Sequence, residues 1–180
     1  MSRLPLVQNP THAGARDTLD RIQRAFGATP NMFRAVANSP AALASMWGSF
    51  GALSTGTLGA AIGERIAIAV ANRNACEYCL AAHTAIGAQA GVNAAELASA
   101  RDGVSTDPKA EAAMRFALRL VEGRGQVSDA DFATLRTAGF TDAEVVEVVA
   151  HVALNLFTNY VNIAFDVPVD FPAVPLQRAA

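Results

Sequence analysis

The chain has 180 residues, a formal net charge of −2, 52% hydrophobic residues and 17% charged residues. That length fits one domain and supplies a sizeable core, and no basic run or stripe marks a nucleic-acid partner. The charged share lies below the ~25% usual for a soluble domain; with the richness in alanine, it predicts that part of the surface is buried against further copies of the chain.

From the N-terminus, Met1 to Pro10 has no apolar run of the signal-peptide kind. Helices are predicted near 15–26, 30–38, 40–54, 59–73, 76–90, 93–101, 107–123 and 128–137, with a long one from 142 to about 165. Gly27, Gly91, Gly103, Gly123 and Gly139 fall where helices should stop. Thr141 and Glu144 form a capping box, Asn93 and Glu96 a looser one, and Ser128 is an N-cap ahead of Asp129 and Asp131. In the 107–123 segment Ala112, Ala113, Phe116, Ala117, Leu120 and Val121 share one face, with Glu111, Arg115, Arg119 and Glu122 on the other. Ser49–Gly63 holds Gly51, Gly56, Gly59 and Gly63 and reads as a loop or weak helix end; no Gly-Lys-Ser/Thr follows to make it a phosphate loop. Phe33, Trp47, Phe50 and Phe116 read as core or interface aromatics. After Asp166 the tail carries Pro168, Pro172 and Pro175, so it should run extended over a surface. No alternating strand with a hairpin turn occurs. The reading is one all-α domain over 1–180, with its core at about 25–167, an N-terminal arm that includes His12, and a proline-rich C-terminal tail. The most apolar stretches, 62–70 and 145–165, are broken by Glu64, Arg65, Glu147 and His151, so neither offers ~20 unbroken apolar residues for a membrane span. A cytoplasmic location follows by default. There a C-x-x-C pair reads as redox or metal chemistry before it reads as a structural staple.

The informative stretch runs from Glu64 to His83 and contains Cys76 and Cys79. Asn72 to Asn74 is a poor helix interior and a good turn, which makes a helical hairpin. Glu64 lies ten residues before Asn74 and His83 nine after it, so at ~1.5 Å per residue the two are level. Cys79 and His83, four apart, stack on one face, and Cys76 sits a turn earlier at the helix start. The chemistry follows from the residue types. A thiol attacks as thiolate, and a free cysteine with pKa near ~8.5 is mostly protonated at neutral pH. A helix N-terminus favours the anion, His83 can take or relay its proton, and Glu64 can orient His83. A thiol oxidised by peroxide becomes a sulfenic acid, which a second thiol resolves to a disulfide. Cys79, nearer His83 and deeper in the helix, is the expected attacking thiol. Cys76, expected to be more exposed, is the resolving one and the point at which a reductant attacks.

The spacing Glu-x11-Cys-x2-Cys-x3-His resembles the signature of the alkylhydroperoxidase AhpD, within the carboxymuconolactone decarboxylase-like superfamily. Pro30 to Phe33 upstream and Asn155 to Asn162 downstream resemble its peroxidase-related branch, so the resemblance covers roughly residues 25–170. It implies an all-α fold built around the hairpin and a homo-oligomer, trimer or hexamer. It also implies a hydroperoxide substrate and a thiol cycle with no cofactor and no metal. The regenerating partner is then an external dithiol, a lipoyl-bearing protein in this family. The resemblance carries the attacking role onto Cys79, the resolving role onto Cys76 and the proton relay onto Glu64 and His83. One departure is Tyr78, where the family has a second histidine; a tyrosine with pKa near ~10 does not relay protons at neutral pH.

Other readings stay open. Cys76, Cys79, His83 and Glu64 could ligate zinc. The superfamily's namesake is a decarboxylase that does not depend on a cysteine pair. A non-catalytic oligomer could sense redox state through the same disulfide. A general thiol–disulfide oxidoreductase is disfavoured, because thioredoxin-like enzymes set C-x-x-C after a strand. The last helix carries a polar stripe of Glu144, Glu147, His151, Asn155, Thr158 or Asn159, Asn162 and Asp166. It is expected to face solvent or another subunit; the alternative has His151 or an asparagine lining a cavity near the thiols.

Overall fold

The computed structural model describes residues 2–177. Among them no strand occurs. The helices are α1 (Ala13–Phe26), α2 (Asn31–Val36), α3 (Pro40–Leu53), α4 (Ala60–Arg73), α5 (Glu77–Gln89), α6 (Ala94–Ser99), α7 (Pro108–Glu122), α8 (Asp129–Thr137) and α9 (Asp142–Ala164), with a 3-10 turn at Ala100–Asp102 after α6. Their starts are written in local chemistry. Ser39 accepts from the Ala42 amide ahead of Pro40, and Asp107 accepts from the Lys109 amide ahead of Pro108. Ser128 with Asp131 and Thr141 with Glu144 form complete capping boxes. Each such cap is worth about 1 kcal/mol.

The helices expected at 40–54 and 59–73 form as α3 and α4, so that within the glycine-rich Ser49–Gly63 segment residues 54–59 are the loop. Burial of Leu43 and Met46 holds α3 together despite Gly48 and Gly51. The looser capping box at Asn93 is half made. Asn93 accepts from the Glu96 amide at 2.9 Å, but the Glu96 carboxylate turns away to Ser105 and Thr106.

α4 is the central helix, packed against α5, α7, α9 and the 3-10 turn. Its residues from Ile66 to Ala71 are all buried, as an uninterrupted apolar run in a helix requires. Burying Ile66, Ile68 and Val70 contributes about 1.5–3 kcal/mol each. Asn74, Ala75 and Cys76 join α4 to α5, with Ala75 in the left-handed region at φ 54°. That conformation costs a non-glycine residue about 1–2 kcal/mol. α9 lies across both helices of this pair. The tail then leaves α9 as an extended strap. Asp170 accepts from the Asn31 amide at 2.7 Å, Pro175 accepts from Arg101, and the Gln177 amide donates to Asn72 at 2.9 Å.

Candidate active site

Each functional side chain comes from a position fixed by helix geometry. Cys76 is the N-cap of α5, and its sulfur accepts from the Cys79 amide at 3.3 Å. Cys79 follows one turn on, with its Sγ accepting from Asn162 Nδ2 at 3.2 Å. His83 lies one further turn along α5, and its Nδ1 is 2.8 Å from Glu64 Oε2 on α4. The four residues singled out from sequence therefore lie together. One expectation fails: Cys76 is not the exposed thiol, being 1% exposed against 2% for Cys79. Its capping role explains this, because the sulfur folds back onto the first turn of α5. Both are free thiols.

The electrostatics separate the pair. Burial pushes the Cys79 thiol up, but a hydrogen bond from Cys76, the charge of His83 and the amides of Asn162 and Asn159 outweigh it and bring Cys79 down to about 7. Cys76 moves far the other way, because it shares its proton with Cys79 and is buried. For His83, burial opposes the charged ring, yet the Glu64 carboxylate wins and raises it. Tyr78 is raised by burial. Its hydroxyl accepts from the Met32 amide at 3.2 Å and its ring meets Phe171 edge-on at 5.7 Å, so it is a packing residue.

From Glu144 to Asn162 the polar stripe of α9 turns inward, and Asp166 beyond it is exposed. Asn155, Thr158, Asn159 and Asn162 are buried. Asn162 holds the Cys79 sulfur, and Asn159 accepts from Asn74 at 2.9 Å, tying down the turn before Cys76. Glu144 pairs with Lys109 at 2.5 Å, and Glu147 accepts from the Thr57 and Leu58 amides. The placement agrees with the alternative expectation, an asparagine lining a cavity near the thiols, and not with a solvent-facing stripe; buried amides and hydroxyls demand partners.

Two cavities flank His83. One, about 40 Å³, is walled by Phe33, Phe50, Tyr78 and Phe171 with Cys79 at its base. The other, about 140 Å³, lies on the Glu64 side and is lined by His151, Asn155, Gly63 and Ser54. Among the described residues no group of three or more His, Cys, Asp and Glu side chains is arranged to hold a metal ion. No helix among them is long and apolar enough to cross a membrane.

Comparison with known proteins fits this arrangement. Residues 40–123 match the carboxymuconolactone decarboxylase family model. A peroxidase-related protein of Ralstonia eutropha, described as an alkylhydroperoxidase AhpD core, superposes with a TM-score of 0.85 at 25% identity, covering 94% of this chain and 92% of that one. A peroxidase-related protein of a Silicibacter species gives 0.82 at 22% identity over 93% of this chain and 91% of that one. A Cys→Ala variant of the debrominase Bmp8, in complex with 2,3,4-tribromopyrrole, gives 0.79 at 19% identity over 94% of each chain. No curated protein matches the sequence. Residues 40–123, from α3 to α7, thus match the carboxymuconolactone decarboxylase family, and the chain as a whole shares the all-helical fold of the AhpD-like neighbour.

Proposed function

We propose that the protein is a thiol-dependent peroxidase that reduces hydroperoxides through a Cys76–Cys79 disulfide. The observation that carries this is the asymmetry of the pair. Cys79 is held near neutrality at about 7, while Cys76, one turn away, keeps its proton. The Cys79 thiolate attacks the distal peroxide oxygen, the O–O bond breaks, and the leaving alkoxide takes a proton held by the His83–Glu64 pair. The Cys79 sulfenic acid then condenses with the Cys76 thiol, releasing water. An external dithiol, a lipoyl-bearing protein in the family reading, returns the disulfide to two thiols, as suits a reducing cytoplasm.

A second reading rests on the residues around the smaller cavity, where Phe33, Phe50, Tyr78 and Phe171 present aromatic surface beside Cys79. By analogy with the debrominase neighbour, the thiolate would take a halogen from a halogenated aromatic ring while the ring carbon gains a proton. Cys76 would then displace halide to give the same disulfide. A homo-oligomer completes the proposal. Val146 and Tyr160 are 67% and 60% exposed on α9, and Val149, Phe157 and Ile163 are exposed beside them. Such a patch favours burial against another copy; sedimentation at the monomer mass would remove it.

The deciding test counts thiols before and after one equivalent of cumene hydroperoxide on reduced wild type, Cys76→Ser and Cys79→Ser. Wild type should lose both thiols, Cys76→Ser should trap a sulfenic acid, and Cys79→Ser should stay inert. Thiols that persist in wild type, with halide released from a bromopyrrole, would install the second reading.

A further inference from the structure

The reductive half of the cycle sets a problem that the four residues do not solve. Reducing a disulfide consumes two electrons and two protons. A dithiol reductant attacks as thiolate, so its protons are left in solvent and must reach sulfur atoms that are 1% and 2% exposed. The small cavity over Cys79 is apolar and aromatic, a poor route for protons. The larger cavity is different. Its lining places Glu64 and His83 on one side and His151 on the other, and its rim residues Ser54, Gly59 and Ala60 are exposed.

We propose that His151 is the outer station of a proton path that runs from solvent through this second cavity to Glu64, His83 and Cys79. The inference rests on the relay role given above to Glu64 and His83. Several features of the fold support it independently. His151 sits half-buried on α9 with its ring seated on Gly63: a Cβ there would lie 2.9 Å from Cε1. The glycine therefore admits an imidazole to the α4 surface one residue from Glu64. Among the described residues the ring makes no hydrogen bond, which leaves both nitrogens free for water. The groups facing it are Glu64 on α4, His83 on α5 and Glu147 one turn earlier on α9. Glu147 is occupied by the Thr57 and Leu58 amides, and so fixes the 54–59 loop that frames the cavity mouth. Burial lowers His151, so the ring is neutral at pH 7, with one nitrogen to accept a proton and one to donate.

The test uses His151→Gln and Gly63→Ala, the latter pushing the ring off its seat. The Cys76–Cys79 disulfide is formed with diamide, so the experiment does not depend on peroxide being the substrate. Its reduction by dithiothreitol is followed at pH 6.5, and Cys79 alkylation is measured against pH. The expected result is reduction slowed on the order of 10²-fold in His151→Gln, less in Gly63→Ala, with millimolar imidazole restoring the rate in both. The alkylation midpoint should stay near about 7. Reduction at the wild-type rate would overturn the path, as would a slow rate that imidazole does not restore, since that is loss of packing and not of proton transfer. Failure of the hydroperoxide thiol count would instead strike the peroxidase reading and leave this result standing.

Discussion

Glu64 and Arg65 are neighbours on α4, yet they open onto two regions that treat a carboxylate differently. On one side, Glu96 accepts from Ser105 Oγ, from the Thr106 amide at 2.9 Å and from Thr106 Oγ1 at 2.6 Å, with Arg65 at 3.4 Å. These hydrogen bonds hold it at about 2, and it ties α6 and the segment ahead of α7 to α4. On the other side, Glu64 has His83 as its hydrogen-bond partner and a cavity beside it. A carboxylate whose lone pairs are saturated by donors is a joint. One with a single ionisable partner and space for water is a group that can exchange a proton.

Glu64→Gln should separate the two most. Gln keeps a hydrogen bond to the imidazole but no longer raises its affinity for a proton as the Glu64 carboxylate does. The hydroperoxide-driven loss of thiols should slow by about 10²–10⁴-fold, with a stability loss under about 1.5 kcal/mol by urea unfolding. Glu96→Ala should do the reverse. It leaves Arg65 with Asp107 at 3.7 Å as its remaining carboxylate and the Ser105 and Thr106 donors without their acceptor, and should cost about 1–3 kcal/mol, while the folded protein keeps wild-type thiol reactivity. A Glu96 variant that is folded yet unreactive would break the distinction.

Asn162→Ala tests a smaller effect. Removing its amide from the Cys79 sulfur should raise the alkylation midpoint from about 7 by about one pH unit, the scale of one charge-assisted hydrogen bond. The mildest test is acid. Glu96 is lowered from its ordinary 4.5 to about 2, so its stabilisation is present above 4.5 and fades as pH falls toward 2. The stability gap between wild type and Glu96→Ala should narrow over that window. His83 is raised, so its contribution is present below 6.5 and is lost as pH rises through its folded value.

The local part of the site was legible in the sequence. Steps of three and four place Cys76, Cys79 and His83 along one helix, and the polar Asn72–Asn74 segment places Glu64 opposite His83. What could not be read was the rotation of α9 about its own axis. Its polar stripe and its apolar Val146, Val149, Tyr160 and Ile163 lie on different faces, and either could have been the buried one. Packing against α4 and α5 chose the polar face, because Cys79, Asn74 and the Thr57–Leu58 amides supply partners there. The exposure of Cys76 was misjudged for a related reason: N-cap geometry, not distance from the helix end, decides where that sulfur points. The helix expected over 40–54 formed despite Gly48 and Gly51, because burial of Leu43 and Met46 outweighs propensity.

The strap after α9 has its own consequence. Phe171 covers Tyr78 and walls the Cys79 cavity, but the segment that carries it is irregular and is pinned by a few hydrogen bonds, two at Asn31, one at Arg101 and two at Asn72. Irregular segments held by few hydrogen bonds open at far lower free energy than helical cores. Access to the thiols is therefore a local opening equilibrium, uncoupled from global unfolding. Amides of the strap should exchange with deuterium long before those of α4 and α5, and the rate at which the buried thiols meet bulky reagents should follow the strap and not the melting temperature.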